Sequence, residues 1–141
     1  MAMNIGIASD HAGYLLKEEI LSWRQTSFLF EDLGTNSTRA VDYPEFANKI
    51  TSLINKNFDL GILICGTGIG MSICANRRSF VRAALCYNTL TARLARQHNN
   101  ANVLILGANF TSKEQAEVII SQFCHQKFIG GRHAVRIKSI L

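Results

Sequence analysis

The chain has 141 residues, 48% of them hydrophobic and 18% charged, with a net charge of +5. That length supports one well-buried core and is short for two domains, so 1–141 is read as a single domain, and the modest charge without repetitive tracts excludes a disordered or solenoid chain. Basic residues are scattered apart from Arg77-Arg78 and the closing Arg132, Arg136 and Lys138, which excludes a nucleic-acid binder but leaves enough for a small phosphorylated ligand.

Residues 3 to 8 form a first apolar strand, and Asp10-His11 follows where the chain turns into a helix with apolar positions Tyr14, Leu15, Ile20, Leu21 and Trp23. Residues 28 to 33 read as strand two. Residues 34 to 42 are a polar loop, after which Pro44 suits the first turn of a helix. Leu60 to Ile64, short and apolar, reads as a buried third strand that ends at Cys65 and the run Gly66-Thr67-Gly68-Ile69-Gly70. A short helix follows, then a strand over 82–86, a helix over 89–97 and a fifth strand over 103–106 stopped by Gly107. Thr111-Ser112-Lys113-Glu114 has the hydroxyl-then-acid form of a helix start, and that helix is expected to reach Lys127. Gly130-Gly131 breaks it, and 132–141 is expected to be a last helix. This alternation predicts a three-layer α/β/α sandwich around a five-stranded parallel, Rossmann-like sheet.

The stretch around Cys65 carries the chemistry. Glycines at 66, 68 and 70 let several backbone N–H groups converge on an anion or a developing oxyanion beside a thiol. The plainer reading is a tight strand-to-helix turn with an inert buried cysteine. The loop is not a P-loop, since Met71 follows Gly70 where lysine is required. Nor is it a dinucleotide fingerprint, whose glycine spacing differs and which follows the first strand. Cys65, Cys74, Cys86 and Cys124 include no Cys-x-x-Cys pair, so neither metal nor disulfide is implied. No basic segment leading into a long apolar run opens the chain, and a cytoplasmic protein without a membrane span is expected.

In such sheets ligands bind beyond the carboxyl ends of the strands, where Asp10-His11 and Cys65 to Gly70 both fall. If strands one and three are neighbours, as in flavodoxin-like orders, these loops share a crevice. His98 lies just before strand five, at the opposite end. It is either a helix-terminal histidine favoured by the dipole or a visitor to a partner's crevice across a two-fold axis. Arg132 and Arg136, spaced i, i+4, are either a solvated basic face or a phosphate clamp.

Together these residues resemble the ribose-5-phosphate isomerase type B family, which also includes galactose-6-phosphate isomerase subunits. The resemblance covers nearly the whole chain. It is carried by Ser9-Asp10-His11-Ala12-Gly13, Asp42-Tyr43-Pro44, Ile64 to Gly70, Arg96-Gln97-His98-Asn99, Asn102-Val103-Leu104 and Gly130-Gly131-Arg132-His133. It implies a metal-independent, cofactor-free aldose-ketose isomerase of the pentose phosphate pathway. It also implies a homodimer, or a tetramer, with active sites shared between subunits and the C-terminal helix reaching the partner.

In the cysteine-bearing branch of that family, the thiol at Cys65 moves a proton between C2 and C1 of the open-chain sugar phosphate. The loop amides from Gly66, Gly68, Ile69 and Gly70 stabilise the enediolate. Thr67 and the partner's His98 match ring-opening positions, Asp10, Tyr43 and Asn99 match residues that hold sugar hydroxyls, and His11, Arg132 and Arg136 match phosphate ligands. One departure is Asn109, where many members carry an arginine for the phosphate. A six-carbon substrate such as allose or galactose 6-phosphate is the alternative to ribose 5-phosphate. A non-catalytic flavodoxin-like binding module is the alternative class, although a phosphoacceptor domain would want aspartate at position 65.

Overall fold

The computed structural model describes residues 2–140. Five strands, β1 (Met3–Ser9), β2 (Phe28–Asp32), β3 (Leu60–Cys65), β4 (Ala83–Leu85) and β5 (Val103–Gly107), form one sheet in the order β2-β1-β3-β5-β4. All four pairings are parallel. The expected class and the β1/β3 adjacency are therefore present. The order departs from the flavodoxin-like one on its far side, where β5 lies inside and β4 at the edge. Burial explains this, since β5 is buried at every position whereas the three residues of β4 are only partly so.

Among the described residues, six α-helices cover the two faces: α1 (Tyr14–Leu21), α2 (Tyr43–Thr51), α3 (Ile69–Ala75), α4 (Thr89–Asn99), α5 (Lys113–His125) and α6 (Arg132–Lys138). One core packs Leu16, Ile20, Ala92, Ala95, Ile119 and Phe123 of α1, α4 and α5 onto Ile5, Ile7, Ile62, Ile64, Leu104 and Leu106 of the sheet. The other packs Phe46, Ile50, Met71 and Ala75 of α2 and α3 onto Ala8, Leu63, Cys65, Val103 and Ile105. The period-2 alternation of β3 thus sends Ile62 and Ile64 to one face and Cys65 to the α2/α3 face.

Several local expectations shift. Leu15 is exposed, and the inward face of α1 is Leu16, Lys17 and Ile20. Trp23 falls after the helix and packs its ring 5.7 Å from that of Phe28. The box that starts α5 is Ser112 with Gln115, each side chain accepting from the other's backbone N–H, one residue on from the Thr111/Glu114 pair. That helix ends at His125 rather than Lys127, and α6 ends at Lys138; residue 141 of its expected span lies outside the described residues.

Lys17 is fully buried and tolerated because its Nζ donates to both carboxylate oxygens of Asp32 at 2.8 and 2.9 Å, with Glu18 at 3.3 Å. Asp32 also accepts the N–H of Gly34, in the segment whose Gly34 carbonyl and Thr35 N–H bracket Ser9. Breaking one side of a buried pair strands the other charge, so Asp32→Ala is expected to lose about 3 kcal/mol of stability, read as a lowered urea midpoint.

Candidate active site

β1 and β3 end side by side, and the backbone N–H of Asp10 donates to Ile64 O at 3.1 Å, which joins the two loops at the base of one crevice. Asp10 Oδ1 accepts from Ala12 N–H and Gly13 N–H at 2.9 and 3.1 Å, an arrangement that opens α1 and fixes the carboxylate with Oδ2 left to face a ligand. His11 Nδ1 accepts from Val41 N–H at 3.1 Å. A ring nitrogen that accepts leaves the proton on the other, so neutral His11 presents Nε2–H as a donor.

The thiol sits at the centre of this arrangement. Cys65 is buried at the end of β3, and its Sγ accepts from Gly68 N–H at 3.2 Å. Gly68 reaches that position with φ of +80°, in the left-handed region where a side chain would be strained. Thr67 Oγ1 accepts from Ile69 N–H at 3.2 Å, so the hydroxyl hydrogen is free to donate elsewhere. The first turn of α3 has no helical acceptors for its own N–H groups, which leaves the Gly70 and Met71 amides without an intrahelical partner.

Tyr43, the first residue of α2, closes one side. A Cβ at Gly70 would meet the Tyr43 ring at 2.7 Å, so glycine is what permits the phenol to lie over the loop. On the other side, Asn109 N–H donates to Gly66 O at 2.9 Å, and its Nδ2 lies 3.3 Å from where a Gly66 Cβ would stand. The asparagine noted as a departure is therefore part of the crevice wall.

The other thiols differ in kind. Burial pushes Cys86 up to about 11, an effect that Thr91 only partly offsets, and pushes Cys124 up to about 12 against the pull of Arg96. Both are held protonated in the core. Among the described residues, Cys65 is the cysteine whose sulfur receives a backbone N–H, and no three His, Cys, Asp or Glu side chains converge as a metal site would require.

The remaining candidates gather at the far end of the sheet. Cys65 is level with Gly107 on β5, whereas His98 and Asn99 precede Val103, so the length of β5, roughly 13 Å, separates them. Arg82 Nε donates to the carbonyls of Asn99 and Asn100 at 3.1 and 3.0 Å and caps α4. A cavity of about 370 Å³ beside it has Asn99, Arg78, Arg82 and Ile140 in its lining but not Cys65.

The segment between α5 and α6 is pinned to α4 by Ile129 N–H donating to Gln97 O at 3.1 Å and Gln97 Nε2 donating to Gln126 Oε1 at 2.8 Å. This sets Arg132 and Arg136, both exposed, close to His98, with no carboxylate partner among the described residues. His133, part of a recognised motif but given no role from sequence, stacks directly on His98. Asp10, His11, Tyr43, Cys65 and the loop thus form one group, and His98, Asn99, Arg132 and Arg136 form a second that a single chain does not bring to the first.

The fold defines a doubly wound α/β protein, with this thiol-and-amide crevice at the topological switch point of its sheet. The chain belongs to the ribose/galactose isomerase family, whose model matches residues 5–140. It is 52% identical over 139 residues to a putative sugar phosphate isomerase of Rickettsia conorii, covering 97% of this chain and 96% of that one. The ribose 5-phosphate isomerase structure from Thermotoga maritima superposes with a TM-score of 0.93 at 47% identity, covering 99% and 98% of the two chains. The ribose-5-phosphate isomerase B of Mycoplasma genitalium, solved with bound ribulose 5-phosphate, superposes with a TM-score of 0.91 at 44% identity over 99% of this chain and 95% of that one.

Proposed function

We propose that the protein is an aldose-ketose isomerase that interconverts ribose 5-phosphate and ribulose 5-phosphate, with Cys65 as the proton-transfer group. The observation that carries this reading is the contact of Gly68 N–H with Cys65 Sγ in a crevice shared with Asp10. Thiolate is the form of cysteine that acts as a base, and the Gly68 amide holds that sulfur in the crevice. Thiolate removes the C2 proton of the open-chain aldose, the C1 carbonyl becomes the enediolate oxygen, and the amides of the α3 start hold that charge. Return of the proton to C1, with transfer of the hydroxyl proton from O2 to O1, gives the ketose.

The furanose form must open first. Thr67 and His98 serve this step, His98 donating to the ring oxygen while the anomeric hydroxyl releases its proton to water. Asp10, Tyr43 and Asn99 hold hydroxyls, and His11 Nε2–H with Arg132 and Arg136 holds the phosphate. The separation of the two residue groups supports a homodimer in which His98, Asn99 and both arginines enter the partner's crevice. The exposed Ile69 and Ile73 on α3, beside the loop, give such an interface apolar surface. The whole chain acts as one such domain in the cytoplasm, without a metal or cofactor. Among the described residues no helix is long and apolar enough to cross a membrane.

The test is conversion of ribose 5-phosphate to ribulose 5-phosphate by purified protein in a chelator. Turnover supports the reading; an inactive, folded dimer that converts allose or galactose 6-phosphate would replace it with a six-carbon isomerase, and inactivity on all three would leave a binding module. Arg136→Ala removes a charged phosphate contact, so KM for ribose 5-phosphate is expected to rise roughly 10- to 100-fold with kcat much less affected. An unchanged KM would place α6 outside the site.

A further inference from the structure

Two imidazoles meet where α4 ends and α6 begins. The His98 and His133 rings are stacked with centroids 4.2 Å apart and planes 8° from parallel. His133 is the fixed member. It is buried, its backbone N–H donates to Gly130 O at 3.2 Å, and the preceding segment is tied to α4 through Ile129 and Gln126. His98 is half-buried in the last turn of α4. A histidine there without a neighbour would exchange rotamers on the picosecond-to-nanosecond scale, and misplacing a catalytic group by about 1 Å costs up to roughly 100-fold in rate.

The surroundings of His133 disfavour its charged form. Burial lowers the affinity of His133 for a proton, and His98 on α4 with Arg132 and Arg136 on α6 lower it further. His133 therefore offers a neutral aromatic face for the His98 ring to pack against.

From this geometry we infer that His133 is the positioning residue for His98, its ring holding the His98 imidazole in the orientation from which it reaches the furanose oxygen of a sugar phosphate. The inference rests on the proposed role of His98 in ring opening and adds the residue that makes that role precise. His133 itself touches no substrate in this scheme.

The test separates ring opening from proton transfer. Ribulose 5-phosphate carries its phosphate on O5, so it cannot close a five-membered ring and stays open. In D2O the enzyme can remove a proton from its C1 and return a deuteron, breaking a C–H bond and forming a C–D bond with no net oxidation. That exchange needs Cys65 and the loop but not the ring opener.

His133→Leu is expected to lower kcat for net conversion of ribose 5-phosphate roughly 10- to 100-fold, with KM and the C1 exchange rate of ribulose 5-phosphate both within about twofold of wild type. His133→Phe, which restores a flat ring, is expected to recover most of the loss. Unchanged net conversion in His133→Leu overturns the inference. So does a parallel fall in exchange, which marks general damage, or a His133→Phe no better than His133→Leu. Exchange that persists in Cys65→Ala would instead overturn the thiol reading on which the inference stands.

Discussion

Cys65→Ala is expected to lower turnover of ribose 5-phosphate by roughly 1,000-fold or more while leaving the protein folded, because the change removes the proposed general base. The sulfur is nearly enclosed but small, and its loss costs about 1 kcal/mol of stability, well inside what such a domain tolerates. The Gly68 N–H left behind is buried, so its unmet bond adds about 1 kcal/mol to that cost. A urea titration beside the kinetic assay separates the two effects: activity collapses while the midpoint falls modestly and the protein stays folded. Cys86→Ala and Cys124→Ala are the contrast. Both thiols sit in the core with their protons held on by burial, so these changes are expected to lower the midpoint and leave kcat close to wild type. Retention of most of the activity in Cys65→Ala would remove the thiol from the mechanism.

The sequence makes the layers legible because strands buried on both faces read as unbroken apolar runs, as in Leu60 to Ile64 and Val103 to Leu106, and because helix starts carry local signatures. The crevice is legible for the same local reason, since thiol and glycines are contiguous and strand ends are where ligands bind. What escapes the sequence is set by pairs far apart in the chain. The position of β5 inside β4 depends on which strand wins the central place, and only the poverty of Ala83-Ala84-Leu85 hints at it. Lys17 points inward against every expectation for lysine because its partner Asp32 lies fifteen positions on, in another element. The stacking of His133 on His98 is of the same kind, depending on a loop whose anchors, Gln97 and Ile129, are individually unremarkable.

Mixing Cys65→Ala and His98→Ala proteins under subunit exchange is expected to restore activity that neither has alone. The reason lies in the parallel sheet: β5 runs between the two residue groups, so no rearrangement of loops within one chain brings His98 to Cys65. The two-fold axis of the proposed dimer brings them together, giving each crevice the thiol of one subunit and the imidazole of the other. In the mixed dimer one crevice then carries both substitutions and the other carries neither. Random exchange of equal amounts yields half mixed dimers, each with one intact site, so activity is expected to rise to about one quarter of wild type. If each site belonged to one chain, every crevice in the mixture would keep one substitution and the rate would stay at the mean of the two variants. Mass spectrometry of the intact dimers would confirm that exchange had occurred, so absence of rescue would directly deny the shared site. The same measurement bears on Arg132 and Arg136, which α6 holds beside His98 and, in the proposed dimer, carries into the partner's crevice along with it. Replacing His98→Ala by Arg136→Ala in the mixture is therefore expected to rescue the KM of ribose 5-phosphate, whereas a residue acting within its own chain would give no rescue.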